Sequence, residues 1–296
     1  MKISWCLFRI LAVLIFLTVC WETSGWANDS QVTISLPDGD SMPGRYFRPE
    51  HSVHDPIPGI LVAANVGGLK LDQYQSYCKK LANQNYAVLL IDATNFPQFL
   101  TPGHDTWRKT PYQIWAWTNH LTVAARLILS HQWYVDNIKS AVDYLANLAN
   151  VDRSRLGLSG FSQSANAVLA YASGNNRIKC VVWNNGGWPW VLPYEPSKLP
   201  PVLIFHGEKD GVYDVKYARQ LASELDQAQR DYECHIYPGQ RHMFNLYYDL
   251  DKIGSEFSQN PIIESSFEKL CVFLERFLQK DSPVKSRLVR SNQRFQ

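Results

Sequence analysis

Short apolar runs rich in β-branched residues recur along the chain and predict eight β-strands. The central runs are almost continuously apolar, as in Gly-Ile-Leu-Val-Ala-Ala at 59–64, which is typical of strands buried on both faces of a parallel sheet. The first two runs alternate apolar and polar residues around a Pro-Asp-Gly-Asp turn at 37–40, which predicts an antiparallel hairpin at the sheet edge. The predicted strands are residues 31–36, 44–48, 59–64, 87–92, 156–159, 178–183, 201–206 and 232–237.

Amphipathic segments separate these runs and predict helices. In one of them, Val135, Ile138, Val142 and Leu145 form a single apolar stripe at helical spacing. The alternation of strands and helices predicts an α/β fold, with an eight-stranded, twisted, mostly parallel sheet, helices on both faces and right-handed crossovers. The predicted helices are residues 71–85, 135–148, 164–172, 215–227 and 262–278.

One long segment interrupts this alternation. Residues 99–133 lie between a predicted strand and the next helix and contain Trp107, Trp115, Trp117 and Trp133. We interpret the segment as a helical insertion. It forms either a cap over a site or a layer whose tryptophans pack against the sheet.

The first 27 residues have the pattern of a secretory signal peptide. Lys2 and Arg9 precede an apolar run at 10–20, and small residues follow up to Ala27. The run is about half the roughly 20 residues that a membrane-spanning helix needs. We therefore expect cleavage after Ala27, export to the periplasm or outside the cell, and no stable membrane span in the mature chain. An uncleaved anchor and a lipoprotein signal ending at Cys20 are the alternatives.

The mature chain divides into one large domain and a short basic tail. Residues 28–281 are long enough for a single α/β domain, and the composition of the whole chain, 46% apolar and 19% charged, indicates a globular protein. Residues 282–296 lack apolar periodicity, which predicts a disordered tail; contact with an anionic surface is the alternative. A net charge of only +2 argues against nucleic acid as a partner, and the oligomeric state stays open.

Cysteine and histidine spacing does not support a metal centre, and we expect no metal and no cofactor. An oxidising compartment would allow disulfides between the cysteines that follow the signal, and buried free thiols are the alternative. His104, His120 and His131 lack the i, i+4 spacing of a helical ligand pair. The cysteines concerned are Cys78, Cys180, Cys234 and Cys271, and none has CxxC spacing.

A strand that runs directly into a helix carries the strongest chemical signal. Residues 156–164 read Leu-Gly-Leu-Ser-Gly-Phe-Ser-Gln-Ser, and a sharp turn there would expose the Ser162 hydroxyl above the sheet. Such a turn needs small neighbours; Gly160 fits, whereas Ser164 stands where the usual motif has glycine. Ser162 is thus a candidate nucleophile, and the alternative is an ordinary helix-capping serine.

Two later loops supply the acid and the base that a serine nucleophile requires. His-Gly-Glu-Lys-Asp ends at Asp210, Tyr-Pro-Gly-Gln-Arg-His ends at His242, and each follows a predicted strand. Both residues therefore lie at carboxyl ends of strands, where open α/β sheets hold their sites. The chain order Ser, Asp, His is that of α/β-hydrolases. Asp210 could instead cap the following helix, although Asp214 is available for that task, and we interpret His206 as a structural strand-end residue.

Residues from about 31 to 280 resemble the dienelactone hydrolase family of the α/β-hydrolase superfamily. The resemblance rests on Gly-Phe-Ser-Gln-Ser around Ser162, His-Gly-Glu-Lys-Asp ending at Asp210 and Tyr-Pro-Gly-Gln-Arg-His-Met-Phe around His242. It implies that Ser162 attacks a carbonyl carbon, that His242 is the general base and acid, and that Asp210 orients His242. Dienelactone hydrolase itself has a cysteine nucleophile, so the resemblance does not assign the substrate.

Four further residues are expected at the site. The oxyanion needs two backbone donors, which we place at the N–H of Gln163 and at the N–H of Val66 in the loop after the first central strand. Trp188 and Trp190 follow another strand and either line an apolar substrate pocket or pack in the core.

The expected activity is that of a serine hydrolase that cleaves small-molecule carboxylic esters or lactones through an acyl-enzyme intermediate. Cleavage of an amide or peptide bond by the same triad is one alternative, because the two reactions differ mainly in leaving-group protonation and pocket shape. A non-catalytic α/β-hydrolase scaffold used for binding, with Ser164 disturbing the turn, is the other.

Overall fold

An eight-stranded β-sheet forms the centre of the protein. The computed structural model describes residues 28–49, 56–65, 68–92, 131–188, 192–246 and 261–279. The strands are β1 (Asn28–Ser35), β2 (Ser41–Arg48), β3 (Ile57–Ala64), β4 (Ala87–Asp92), β5 (Val151–Phe161), β6 (Ile178–Asn184), β7 (Val202–Gly207) and β8 (Tyr232–Tyr237). Their order across the sheet is β1-β2-β4-β3-β5-β6-β7-β8. β1 and β2 form an antiparallel edge hairpin, β2 pairs antiparallel with β4, and the other neighbours are parallel. The predicted sheet is confirmed.

Helices cover both faces of this sheet, as predicted. Alternate residues of a strand point to opposite faces, so Leu61 packs in one core with helices α2, α3 and α4, whereas Ile60 and Val62 pack in a second core with α1 and α5. Because both faces are covered, the central strands are apolar without interruption. The α-helices of the described ranges are α1 (Asp72–Asn83), α2 (His131–Ala146), α3 (Gln163–Ala172), α4 (Lys216–Gln227) and α5 (Pro261–Leu278).

β5 is longer than its apolar run predicts. It begins at Val151 rather than at residue 156, because Val151 and Asp152 pair with β3 ahead of a register shift. The side chain of Asp152 accepts hydrogen bonds from Ser154 and Arg155, which stabilises a polar segment within the strand. The side chains of this segment are polar and hydrogen-bond to one another, so a pattern of apolar residues does not predict it as part of the strand.

The carboxyl ends of six parallel strands lie along one edge of the sheet. The loops that carry Ser162, Asp210 and His242 all start from this edge, as predicted from their positions after strands. The last residues of these strands are Ala64 of β3, Asp92 of β4, Phe161 of β5, Asn184 of β6, Gly207 of β7 and Tyr237 of β8.

Several sequence predictions concern residues outside the described ranges. They are the signal peptide at 1–27, Val66, the insertion at 99–133 up to residue 130, Trp190 and the basic tail at 282–296. The last residues of the insertion form the first turn of α2. Among the helices that the structure describes, none combines the length and the apolar character needed to cross a bilayer.

Candidate active site

Ser162 lies at the turn between β5 and α3 in a strained backbone conformation. Its φ of 56° and ψ of −121° fall outside the ordinary regions for a residue with a side chain. The Ser162 N–H donates to the carbonyl of Asn184 at 2.8 Å, which ties the turn to the end of β6. This geometry is that of the predicted strand–turn–helix elbow.

The residues on either side of Ser162 fit the elbow in different ways. A Cβ at Gly160 would lie 2.5 Å from the carbonyl oxygen of Ser164 and 2.6 Å from Cα of Ala165, so the close approach of β5 and α3 requires glycine there. Ser164, where glycine was expected, is fully buried, and its Oγ donates to the carbonyl of Ala64 at 2.7 Å. The serine is therefore accommodated, and it links the elbow to the end of β3.

Ser162, His242 and Asp210 form one hydrogen-bonded chain. His242 Nε2 lies 3.1 Å from Ser162 Oγ, and His242 Nδ1 lies 2.7 Å from Asp210 Oδ2. Because a carboxylate can only accept, we assign the ring proton to Nδ1, which leaves Nε2 free to accept the Ser162 proton. Ser162 and His242 are buried except for 5% and 8% of their surface. The three residues are placed for proton transfer from the serine to the imidazole.

Asp210 is held by the loop that follows β7. Its Oδ1 accepts backbone hydrogen bonds from Val212 at 2.8 Å and Tyr213 at 2.9 Å, while Oδ2 faces His242. Asp214, and not Asp210, bonds to the start of the following helix, because its Oδ1 accepts a hydrogen bond from the N–H of Lys216, the first residue of α4. The side chain of Asp210 thus faces His242 with each of its oxygens hydrogen-bonded.

A second histidine lies beside Asp210 and supports the loop. His206 is fully buried, its Nε2 donates to the carbonyl of Tyr213 at 2.9 Å, and the same atom is 3.4 Å from Asp210 Oδ2. Its ring stacks on Trp183 at 5.7 Å between centroids. Burial lowers the pKa of His206, so the ring is neutral at pH 7. These contacts agree with the predicted structural role.

Gly207, which sequence reasoning missed, allows the Asp210 and His242 loops to meet. A Cβ at this position would lie 2.5 Å from the carbonyl oxygens of Gln240 and Arg241. Lys209 also donates its N–H to the carbonyl of Gln240 at 2.8 Å. The His-Gly dipeptide before Glu208 is the local signal that could have indicated such a close approach.

Three buried asparagines connect the serine elbow to the histidine loop, and sequence reasoning missed these as well. Asn245 donates to Asn184 Oδ1 at 2.7 Å and accepts from Asn185 Nδ2 at 3.0 Å. Asn184 Nδ2 donates in turn to Ser159 Oγ at 3.2 Å and to the Gly160 carbonyl at 3.0 Å. Asn185 Oδ1 accepts from the N–H of Gly207 at 3.3 Å. The network joins β5, β6, β7 and the segment after His242 underneath the site.

Of the two candidate oxyanion donors, the structure describes Gln163. Gln163 is the first residue of α3 and follows Ser162 directly, so its N–H has no carbonyl partner within the helix. Val66 lies outside the described residues, but both the backbone and the side chain of its neighbour Asn65 are hydrogen-bonded to Tyr74. Tyr74 Oη donates to Asn65 Oδ1 at 3.0 Å and accepts from the Asn65 N–H at 3.2 Å.

Aromatic side chains stand beside His242. Trp188 is half-buried, has a φ of 54° and packs edge-on against Tyr213 with ring centroids 5.1 Å apart. Tyr213 packs edge-on against His242 at 5.7 Å. Trp188 therefore packs on Tyr213 while part of its surface remains exposed. Trp190 lies outside the described residues.

The four cysteines beyond residue 27 are free thiols in the structure. Cys78 and Cys180 are buried, and Cys234 and Cys271 are half-buried. Burial raises the pKa of Cys78 and Cys180 well above the usual range and raises that of Cys234 and Cys271 to about 11. These thiols are protonated at neutral pH and are poor nucleophiles. Within the described ranges no three His, Cys, Asp or Glu side chains are grouped to hold a metal ion.

Comparison with known proteins agrees with this geometry. The family model described as the dienelactone hydrolase family matches residues 42–261. A Yersinia pestis protein provisionally named a carboxymethylenebutenolidase is 25% identical in an alignment of 222 positions that covers 71% of this chain and 76% of that protein.

Solved structures share the fold. A provisionally named dienelactone hydrolase from Klebsiella pneumoniae aligns with a TM-score of 0.63 at 18% identity, covering 84% of this chain and 100% of the other. The acylaminoacyl peptidase of Pyrococcus horikoshii aligns with a TM-score of 0.63 at 13% identity, covering 92% of this chain and 45% of the peptidase. At these identities the likeness concerns the fold alone.

Proposed function

The chain belongs to the dienelactone hydrolase family, and from that premise we propose that it is a serine hydrolase that cleaves carboxylic esters or lactones through an acyl-enzyme intermediate. The family implies hydrolase activity on an α/β-hydrolase fold. The observation that carries the finer proposal is the hydrogen-bond chain from Ser162 Oγ through His242 to Asp210. No cofactor is required for this chemistry, because nucleophile, base and acid all come from the chain.

In the proposed first half-reaction, Ser162 Oγ attacks the carbonyl carbon while His242 Nε2 takes its proton. The electron pair of the carbonyl double bond moves to oxygen, and the N–H of Gln163 donates to this oxyanion together with the proposed N–H of Val66. His242 then gives the proton to the leaving alcohol, and an ester of Ser162 remains. Water repeats the sequence and releases the acid, with Asp210 stabilising the imidazolium in both halves.

Two observations support catalysis over a binding-only scaffold. Ser164 Oγ has a partner in the Ala64 carbonyl, so the departure from the usual motif leaves the elbow intact. Ser162 also retains a strained φ of 56°, and strain of this kind is concentrated at functional sites.

We further propose that Trp188 lines the part of the pocket next to His242. Its half-buried indole would contact an apolar acyl or alcohol group of the substrate. Trp190 has the same proposed role on sequence grounds.

The test is hydrolysis of short-chain and long-chain p-nitrophenyl esters by the purified mature protein. We expect kcat to fall about 10⁴-fold or more in Ser162→Ala and in His242→Ala, because each removes a partner of the proton transfer. Ser223→Ala and His235→Ala are matched controls on an exposed helix position and on β8, and they should retain wild-type rates. Equal activity in the wild type and in both triad variants would rule out the triad, and p-nitroanilide substrates in the same assay test amide cleavage.

A further inference from the structure

The ring of His206 carries a buried nitrogen that makes no hydrogen bond. His206 is fully buried near the end of β7, and its Nδ1 has no hydrogen-bond partner among the described residues. A buried acceptor without a partner destabilises a fold, so an apolar ring would pack at this position at a lower cost. The other nitrogen of the ring, Nε2, must therefore make a contribution that offsets this cost.

Nε2 of His206 lies beside the carboxylate that orients His242. It is 2.9 Å from the carbonyl oxygen of Tyr213 and 3.4 Å from Asp210 Oδ2. The same Oδ2 accepts from His242 Nδ1 at 2.7 Å. Because Nδ1 of His206 has no acceptor and Nε2 faces a carbonyl oxygen, we assign the ring proton to Nε2. The neutral ring thus places a partial positive charge next to Asp210 without the full charge that would compete with His242.

The buried carboxylate of Asp210 needs several donors. Its side chain is fully buried, and a carboxylate has about four lone-pair sites. The N–H groups of Val212 and Tyr213 donate to Oδ1, and His242 donates to Oδ2. The N–H of His206 is a fourth donor group beside the carboxylate, with its nitrogen 3.4 Å from Oδ2. Its partial positive charge stabilises the negative charge on Oδ2 and opposes displacement of this atom.

The ring of His206 is itself held by its neighbours. It stacks on Trp183 of β6, with centroids 5.7 Å apart and planes at 24°. Trp183 is fixed in turn, because its Nε1 donates to Asn166 Oδ1 at 3.0 Å. The next residue, Gly207, lies against the backbone of the His242 loop. His206 therefore gives Asp210 a donor whose position is set by the sheet.

We propose that His206 is a positioning residue for catalysis, whose Nε2–H holds Asp210 Oδ2 in line with His242 Nδ1. The inference rests on the proposed function, in which His242 takes the Ser162 proton and Asp210 stabilises the imidazolium. His206 transfers no proton and does not touch the substrate, since it acts through Asp210. Without its N–H the carboxylate has one donor fewer, Oδ2 moves out of line with His242, and proton transfer becomes slower.

Two kinds of substitution separate the N–H of His206 from its ring. His206→Phe keeps a planar ring for Trp183 and removes the N–H, whereas His206→Gln keeps an N–H donor. On p-nitrophenyl esters we expect kcat to fall about tenfold in His206→Phe with KM within about twofold, and kcat of His206→Gln to stay within about threefold of the wild type. His206→Met, nearly isosteric with His206→Gln but without a donor, should match His206→Phe. It decides the test if thermal unfolding shows that His206→Phe is not folded.

His235→Phe is the matched control, because His235 on β8 has very similar contacts away from the site. Its ring stacks on Phe205 of the neighbouring strand at 5.7 Å and 29°, and its Nε2 is 3.4 Å from Glu233 Oε2. Glu233 does not orient the catalytic base, so His235→Phe should keep the wild-type kcat.

Proton NMR measures the hydrogen bond between His242 and Asp210 directly. A proton in a short hydrogen bond between an imidazole and a carboxylate is strongly deshielded and gives a resonance far downfield. We expect this resonance to move upfield or disappear in His206→Phe and in His206→Met. It should remain in His206→Gln and in His235→Phe.

The combined results separate the possible roles of His206. Wild-type kcat in His206→Phe would overturn the positioning role and leave the proposed function standing. Equal losses of kcat in all three His206 variants would mean that the residue only supports the fold, and a lower kcat with an unchanged resonance would mean that it does not act through Asp210; both overturn the proposal. A wild-type protein without ester hydrolysis that depends on Ser162 would overturn the proposed function itself.

Discussion

At Gly207 a single missing side chain allows the loops of Asp210 and His242 to touch. An added Cβ would lie 2.5 Å from two carbonyl oxygens of the His242 loop, a distance at which backbone must shift. Displacement of a catalytic group by about 1 Å can cost about 100-fold in rate. The geometry of the base therefore depends on a residue that takes no part in proton transfer.

We predict that Gly207→Ala lowers kcat on p-nitrophenyl esters about 100-fold, because the loop that carries His242 moves away from Ser162. Steady-state kinetics and thermal unfolding of the same preparation provide the measurement. Gly211→Ala is the control, since a Cβ there meets no atom within 4 Å, and it should behave as the wild type. A fully active Gly207→Ala variant would contradict the prediction.

The buried neutral histidine at 206 makes stability depend on pH. Burial lowers its pKa in the folded state below the value of about 6.5 expected for the unfolded chain. As the pH falls through 6.5, the unfolded chain takes up a proton that the folded protein does not, so the free energy of unfolding decreases. This contribution is fully present above pH 6.5 and is lost progressively as the pH falls from 6.5 towards the lower pKa of the folded protein.

We predict that His206→Gln, which keeps an N–H donor for the Tyr213 carbonyl, reduces the dependence of stability on pH. Below pH 6.5 the slope of the free energy of unfolding against pH should be smaller for the variant than for the wild type, by at most about 1.4 kcal/mol per pH unit, the value for one proton. Urea unfolding at several pH values measures it. Parallel curves for the two proteins would show that His206 does not titrate on unfolding.

At the scale of elements, the asparagine network makes the ends of β5, β6 and β7 one unit with the His242 loop. Asn245 bonds to two residues about 60 positions earlier in the chain, and Asn184 holds the N–H of Ser162 through its carbonyl. Such a network stabilises the fold when all of its members are hydrogen-bonded. Each buried amide left without a partner destabilises the fold.

We predict that Asn245→Ala lowers the free energy of unfolding by about 2–4 kcal/mol and lowers kcat of the folded protein about tenfold, because Asn184 and Asn185 each lose a partner. Asn150→Ala is the control, since it breaks a comparable reciprocal pair with Tyr46 away from the site. It should lose stability but keep kcat. Equal kcat in both variants would show that the network does not position His242.

The sequence predicted those elements and residues whose signals are local. The apolar runs predicted the sheet because strands covered on both faces need no polar positions, and Ser162, Asp210 and His242 each lie in a short motif directly after a strand. The roles of Asn245 and Gly207 depend on contacts between distant segments. An asparagine in a loop has an ordinary local explanation, so nothing in the sequence singles out Asn245, and Gly207 at the end of β7 has only the His-Gly dipeptide as a local signal.

At the scale of the whole molecule, the signal peptide remains a prediction. β1 begins at Asn28, the residue that would follow cleavage after Ala27. We expect mass spectrometry of the exported protein to give a mature chain that starts at Asn28. A chain that starts at Met1 would contradict cleavage, and a lipid-modified start at Cys20 would support the lipoprotein alternative.

The backbone of Ser162 sets stability and activity in opposition. A φ of 56° costs a residue with a side chain about 1–2 kcal/mol that glycine would not lose. The fold would therefore tolerate glycine at this position more easily than the residue that performs the attack. Directed evolution that selects for thermal stability alone would therefore favour stable variants of this protein that lack activity. Such an experiment needs a simultaneous selection for activity.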